Sequence, residues 1–139
     1  METKVLARVI IEVLGGPKEH IETVIKNVIE RLKKEKGIKI VSEKIFPTEQ
    51  VDKLFTTFAE IEFESETPNM LINICFDYMP SSIEILEPKN ITFAALDFVE
   101  FFNDILARLH RSDMVVKNVN AQNIMLRKEI MALKGESKK

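Results

Sequence analysis

VLARVIIEVLGGPKEHIETVIKNVIERL, residues 5–32, changes its hydrophobic period once, at Gly15-Gly16-Pro17. From Lys4 to Leu14 apolar side chains alternate. Val5, Ala7, Val9, Ile11 and Val13 share one face of a strand, while Leu6, Arg8, Ile10, Glu12 and Leu14 share the other. The first face is wholly apolar and must meet a core. The second mixes charge with Leu and Ile and is expected to be only half covered. Beyond the glycines the period lengthens: Ile21, Val24, Ile25, Val28, Ile29 and Leu32 stand at helical spacing, with Lys18, Glu22, Lys26, Glu30 and Lys33 opposite. Pro17 suits the first helical position, and Gly37 stops the helix.

Working outward, Ile38 to Phe46 reads as a second strand whose alternation slips at Val41-Ser42, as a bulge would make it. Pro47 to Lys53 is a polar connection. Leu54 to Glu64 is a third strand with Phe55, Thr57, Ala59, Ile61 and Phe63 inward and Glu60, Glu62 and Glu64 outward. Thr67-Pro68 opens a short helix burying Met70, Leu71, Ile74, Cys75 and Tyr78, and Pro80 ends it. Ser82 to Glu87 is a fourth strand, closed by Pro88. The order β-α-β-β-α-β over residues 1–88 is that of a ferredoxin-like α+β sandwich. Right-handed crossovers put both helices on one face of the sheet and leave the other face uncovered.

Asn90 to Leu133 contains neither Gly nor Pro and is expected to be helical, as one helix or as a hairpin broken at Ser112-Asp113. Asn90 after Pro88 suits an N-cap, and Gly135 a C-terminal stop. Its two halves differ. Between Ile91 and Leu109 the only polar side chains are Thr92, Asp97, Glu100, Asn103, Asp104 and Arg108, so this half must bury most of its circumference. The second half is polar apart from one seam. Ala95, Phe102, Leu109, Val116, Asn123 and Ile130 recur every seven residues, and Phe98, Ile105, Ser112, Val119, Leu126 and Leu133 follow each by three. This is an a/d heptad pattern. Residues 89–135 are therefore expected to be a packing and oligomerisation segment, with Phe98, Phe102, Ile105, Leu109, Val116, Val119, Asn123, Leu126 and Ile130 at a contact between protomers. Residues 136–139 are expected to be a disordered tail. Phe98, Phe101, Phe102 and Ile105 are expected to be almost wholly buried, on sheet residues such as Ile10 and Phe58 or on a partner.

Composition bounds the function. With 139 residues there is chain for one core and an appendage, and a net charge of −2 offers no electrostatic reason for nucleic acid or an anionic membrane. The single cysteine, Cys75, excludes an internal disulfide and fits a reducing cytoplasm. Glu2 and Lys4 lead straight into a strand, so no signal peptide is expected, and no apolar run has the length of a membrane helix. Abundant Ile and Glu, scarce Gln and absent Trp point to a thermophile.

Candidate chemistry is sparse. His20 and His110 lie in different helices with no second ligand at metal spacing. His110, Arg111 and Asp113 read as a solvated or kinked stretch of helix. Cys75 sits on an apolar helix face without a cationic neighbour and reads as a structural thiol. Gly15-Gly16-Pro17 before a helix start is a candidate ligand site, although no Lys and Ser/Thr follow as in a phosphate loop. Asp77-Tyr78 is an acid beside a phenol at a helix end, read as a cap. Glu60, Glu62, Glu64 and Glu66 alternate along a strand without the Asp-rich loop of a calcium site, and read as a solvated edge guarded by charge. No catalytic set, metal or cofactor is implied.

The element order and the Gly15-Gly16 turn resemble the ferredoxin-like regulatory modules, of which ACT domains are the best known. The likeness covers about residues 4–87. It implies binding of a small effector near Gly15 and Gly16 at an interface between protomers. The long terminal helix departs from that pattern. Residues 76–88, FDYMPSSIEILEP, with the Ile/Glu/Lys-rich style of the chain, also resemble small archaeal proteins of unassigned function. The expectation is a non-catalytic interaction or scaffold protein that self-associates, with itself or another protein as partner. An ACT-like effector-binding module is the alternative.

Overall fold

The computed structural model describes residues 4–137, with side chains to residue 135. The elements are β1 (Val5–Gly15), α1 (Lys18–Lys33), β2 (Ile38–Ile45), β3 (Glu49–Val51), β4 (Leu54–Ser65), α2 (Pro68–Tyr78), β5 (Ser82–Glu87) and α3 (Ala95–Ser137). They fall into two compact units that meet in sequence between Thr92 and Phe93.

The first unit is α+β. Its five-stranded antiparallel sheet runs β2-β4-β1-β5, with β3 added on β4. β1 and β4 pair without a slip from Val5 opposite Ser65 to Gly15 opposite Phe55. Because side chains alternate, that register decides which residues share a face. Val5, Ala7, Val9 and Ile11 lie with Ala59, Ile61 and Phe63 on one face, and all are buried. Ile25, Ile29 and Leu32 of α1 and Leu71 and Ile74 of α2 pack into the same cluster. Two hydroxyls enter this layer and are satisfied there. Thr57 donates to the carbonyl of Phe46 (3.3 Å) and Ser65 to that of Thr67 (2.5 Å).

Local chemistry sets the ends of the elements. Pro17 is the N-cap of α1 rather than its first helical residue, and its carbonyl accepts from the N–H groups of His20 (3.0 Å) and Ile21 (3.3 Å). Gly37 turns the chain at φ +82°, and a Cβ there would run into Sδ and Cε of Met70. The Thr67 hydroxyl accepts from Met70 N at 3.3 Å to cap α2, with Pro68 opening the first turn. Met79, in the left-handed region at φ +46°, ends that helix ahead of Pro80. The register of β2 on β4 shifts between Ile40 and Ser42, which is the expected bulge, and leaves Val41 exposed.

Two expectations for this unit change. The connection Pro47–Lys53 contains β3, whose three residues are all exposed. With no apolar face to bury, this strand has no periodic signal in sequence. The glutamates Glu60, Glu62 and Glu64 are not on an edge, because β4 lies between β1 and β2. They project from the face opposite the core, where Lys39 stands across from Glu64, Lys44 across from Glu60 and Arg8 across from Glu62.

The second unit is α3, one helix of 43 residues without a break at Ser112-Asp113, where Lys117 Nζ bridges Asp113 Oδ2 at 2.8 Å. Of the two expected forms, the single helix is the one observed. It starts at Ala95, not after Asn90: residues 90–94 are not helical, and Ile91 is partly buried against the core of the first unit. Gly135 lies inside the helix rather than closing it. Of the expected tail, residues 136 and 137 continue the helix, and residues 138 and 139 lie outside the described residues. At about 1.5 Å per residue α3 is roughly 65 Å long. Among the described residues no helix is long and apolar enough to cross a membrane.

Candidate functional site

The residues expected at a contact between protomers all lie on α3. Leu109 is 61% exposed, Val116 55%, Val119 47%, Leu126 54% and Ile130 51%, and Asn123 is exposed among them. Single exposed apolar side chains are ordinary, but a contiguous stripe of them is not. In the first half, Phe98 and Phe102 are also exposed and Phe101 and Ile105 half-buried within the single chain. The phenylalanines shield one another. The rings of Phe98 and Phe102 meet edge to face at 4.8 Å between centroids, and Phe93 and Phe101 lean on the same pair at 5.7 Å from Phe98 and 5.5 Å from Phe102 respectively.

Gly15 ends β1, Gly16 leads into the Pro17 N-cap of α1, and there is room for a Cβ at both. A Cβ on Gly15 would touch Ile21 Cγ2 at 3.5 Å, and one on Gly16 would reach the Phe55 ring at 4.0 Å. Neither glycine lines either of two surface cavities on the first unit. The smaller, about 170 Å³, is walled by Lys4, Gly37, Ile38, Lys39, Glu64, Ser65 and Glu66. The larger, about 230 Å³, lies among Glu22, Ile25, Lys26, Ile45, Phe46, Pro47 and Thr48, and its Thr48 hydroxyl already donates to Glu22 at 2.9 Å. Both are below the roughly 300–1,000 Å³ of typical small-molecule sites.

The face of the sheet away from the core is an ionic lattice centred on Arg8. Its guanidinium reaches Glu62 at 2.8 Å, Glu60 at 2.9 Å and Glu84 at 3.2 Å, so carboxylates from β4 and β5 converge on one cation in β1. The hydrogen bond that Arg8 donates to Glu62 is the main cause that raises the Arg8 pKa above its ordinary value. Alternating carboxylates here are charge-paired, a different use from metal ligation. Among the described residues no group of three or more His, Cys, Asp or Glu is placed to hold a metal ion.

Of the remaining candidates, Cys75 is half-buried, and burial pushes its thiol up, away from the thiolate a nucleophile needs. Tyr78 feels the charge of Asp77, which helps to raise its phenol. Its hydroxyl donates to Glu35 Oε1 at 2.8 Å, tying the end of α2 to the turn after α1, and Arg31 lies 5.0 Å from the ring centroid. Burial first, then the hydrogen bond and charge of Glu35, push the phenol up to about 12, with Arg31 opposing. Tyr78 is the only tyrosine and Trp is absent, so tyrosinate absorbance reads this residue alone. The native protein is expected to titrate near 12, against about 10 when denatured. A folded-state value above the unfolded one means stability held below about pH 10 and lost as pH rises toward 12. Tyr78→Phe should remove that part of the alkaline slope; an unchanged slope, or a native midpoint near 10, refutes the assignment.

An α+β unit continued into a long helix with an exposed apolar seam is the class of protein these features define. The chain belongs to the MJ0538 family, named for an archaeal protein of unknown function, whose family model matches residues 6–134. The match runs through both units, so the long helix is part of what the family shares. Comparison with the curated proteins and with the solved structures gives no match.

Proposed function

We propose that this chain is a non-catalytic interaction or scaffold protein that self-associates through α3. The observation that carries this reading is the seam Leu109, Val116, Val119, Leu126 and Ile130, uncovered over several heptads of one unbroken helix. An isolated helix draws little stability from its backbone alone; in proteins it comes mostly from packing of an apolar face. A heptad seam is matched by another helix of the same period. The reading of the first unit as a ferredoxin-like sandwich is supported by its connectivity. Omitting the three-residue β3, the strands lie in the order second, third, first, fourth, and α1 and α2 pack on one face. The effector-binding alternative rests on the Gly15-Gly16 turn, which borders neither cavity.

Light scattering coupled to size exclusion tests the proposal. The intact chain is expected at a multiple of its 16.0 kDa mass. Leu126→Asp, which would bury an unpaired carboxylate in the seam, is expected to return it to the monomer with the sheet signal intact. A monomer at every concentration for the intact chain overturns the reading.

A further inference from the structure

We propose that the occupant of the seam is the α3 helix of a second copy, parallel and in register, in a two-stranded pair. This rests on the self-association reading and adds partner, direction and strand number. The argument comes from the positions flanking the seam, which set partner choice and orientation in paired helices. With Ala95 at a, the e positions are Val99, Leu106, Asp113, Asn120, Arg127 and Lys134. The g positions include Phe101, Arg108, Val115, Gln122 and Glu129.

In a parallel pair each g residue meets the e residue five further on in the other chain. Phe101 then meets the partner's Leu106, Arg108 meets the partner's Asp113, Gln122 meets the partner's Arg127, and Glu129 meets the partner's Lys134. One pair joins apolar side chains and two join opposite charges, twice over by symmetry, while Val115 meets the partner's Asn120. The wide apolar first half, with Val99 and Leu106 each 53% exposed, is laid against an equally wide half. Asn123 also shares a layer with its own counterpart, and Ser112 with its own.

An antiparallel pair sets Arg108 against the partner's Glu129 but misplaces the apolar flanks. The register that sets Asn123 against the partner's Ser112 also sets Leu106 against the partner's Arg127 and Val99 against the partner's Lys134. The wide half then meets the narrow, charged one. Toward the C-terminal end the core composition agrees with two parallel strands: Val116 and Ile130 are β-branched at a, and Leu126 and Leu133 occupy d.

The test uses the full chain carrying Cys75→Ala and Leu126→Cys, oxidised mildly and weighed under native and denaturing, non-reducing conditions. A native dimer that becomes a disulfide-linked dimer is the expected result. A native dimer that fails to link through residue 126, but links when chains carrying Leu109→Cys and Leu126→Cys are mixed, overturns the parallel direction and leaves self-association standing. A trimer or tetramer overturns the strand number, and a monomer overturns the self-association reading itself. A charge exchange checks direction without cysteine. Glu129→Lys should lower the melting temperature at low salt by about 2–5 °C, and adding Lys134→Glu should restore it. Failure of the double variant to recover also overturns the parallel register.

Discussion

Phe63→Ala is expected to remove about 3–5 kcal/mol from the α+β unit, the largest loss from any single side chain there. Phe63 is the largest fully buried side chain, on the central strand β4 directly across from Ala7 on one side and Ile40 on the other. Truncation leaves a hole that the rigid sheet cannot close, and Ala7 is too small to fill it. A domain of this size holds about 5–15 kcal/mol in all, so the variant should sit near the edge of unfolding. Phe58, half-buried on the opposite face of the same strand, provides the control. Phe58→Ala should cost about 1–2 kcal/mol, the transfer free energy of a partly covered ring. Urea unfolding followed by sheet circular dichroism measures both. Equal losses for the two would show that the core is not where the β1–β4 register puts it.

Asn123→Ile is expected to act in the opposite sense. In a paired helix an Asn at an a position bonds its counterpart, and the cost of burying it enforces register and strand number. Replacing it joins Val116 to Leu133 in one apolar seam and removes the stability cost of a polar a position. The melting temperature should rise, while the mass by light scattering should spread toward mixtures or higher species. Together with Leu126→Asp this separates two roles for seam residues: one contributes affinity, the other restricts which assembly forms. An Asn123→Ile protein with unchanged mass and unchanged melting temperature would show that position 123 meets no partner.

Much of the fold is legible in sequence because burial imposes a period. The alternation of Val5 to Val13 and of Phe55 to Phe63, and the helical spacing of Ile21 to Leu32, each record which side of an element meets the core. Thr67-Pro68 marks the start of α2 because a hydroxyl must accept a free N–H there. The candidate site is legible for the same reason, since a seam of period seven is written into α3 whether or not a partner is present.

What escapes the sequence has no period or depends on residues distant along the chain. β3 is three exposed residues, so its pairing with β4 leaves no hydrophobic trace. The glutamates of β4 read alike for a guarded edge or for a central strand. Only the order β2-β4-β1-β5 brings Arg8 and the lysines of β2 across from them. Asn90 is a good cap by type, yet Ile91 is drawn to the core of the first unit, and the helix begins at Ala95 instead. The residues between two apolar periods are assigned by whichever long-range contact claims them. Amino-acid type alone determined the elements that bury an apolar face, because apolar spacing is a local property. Strand order, charge partners and the start of α3 were decided by tertiary contact, because each depends on groups that only folding brings together.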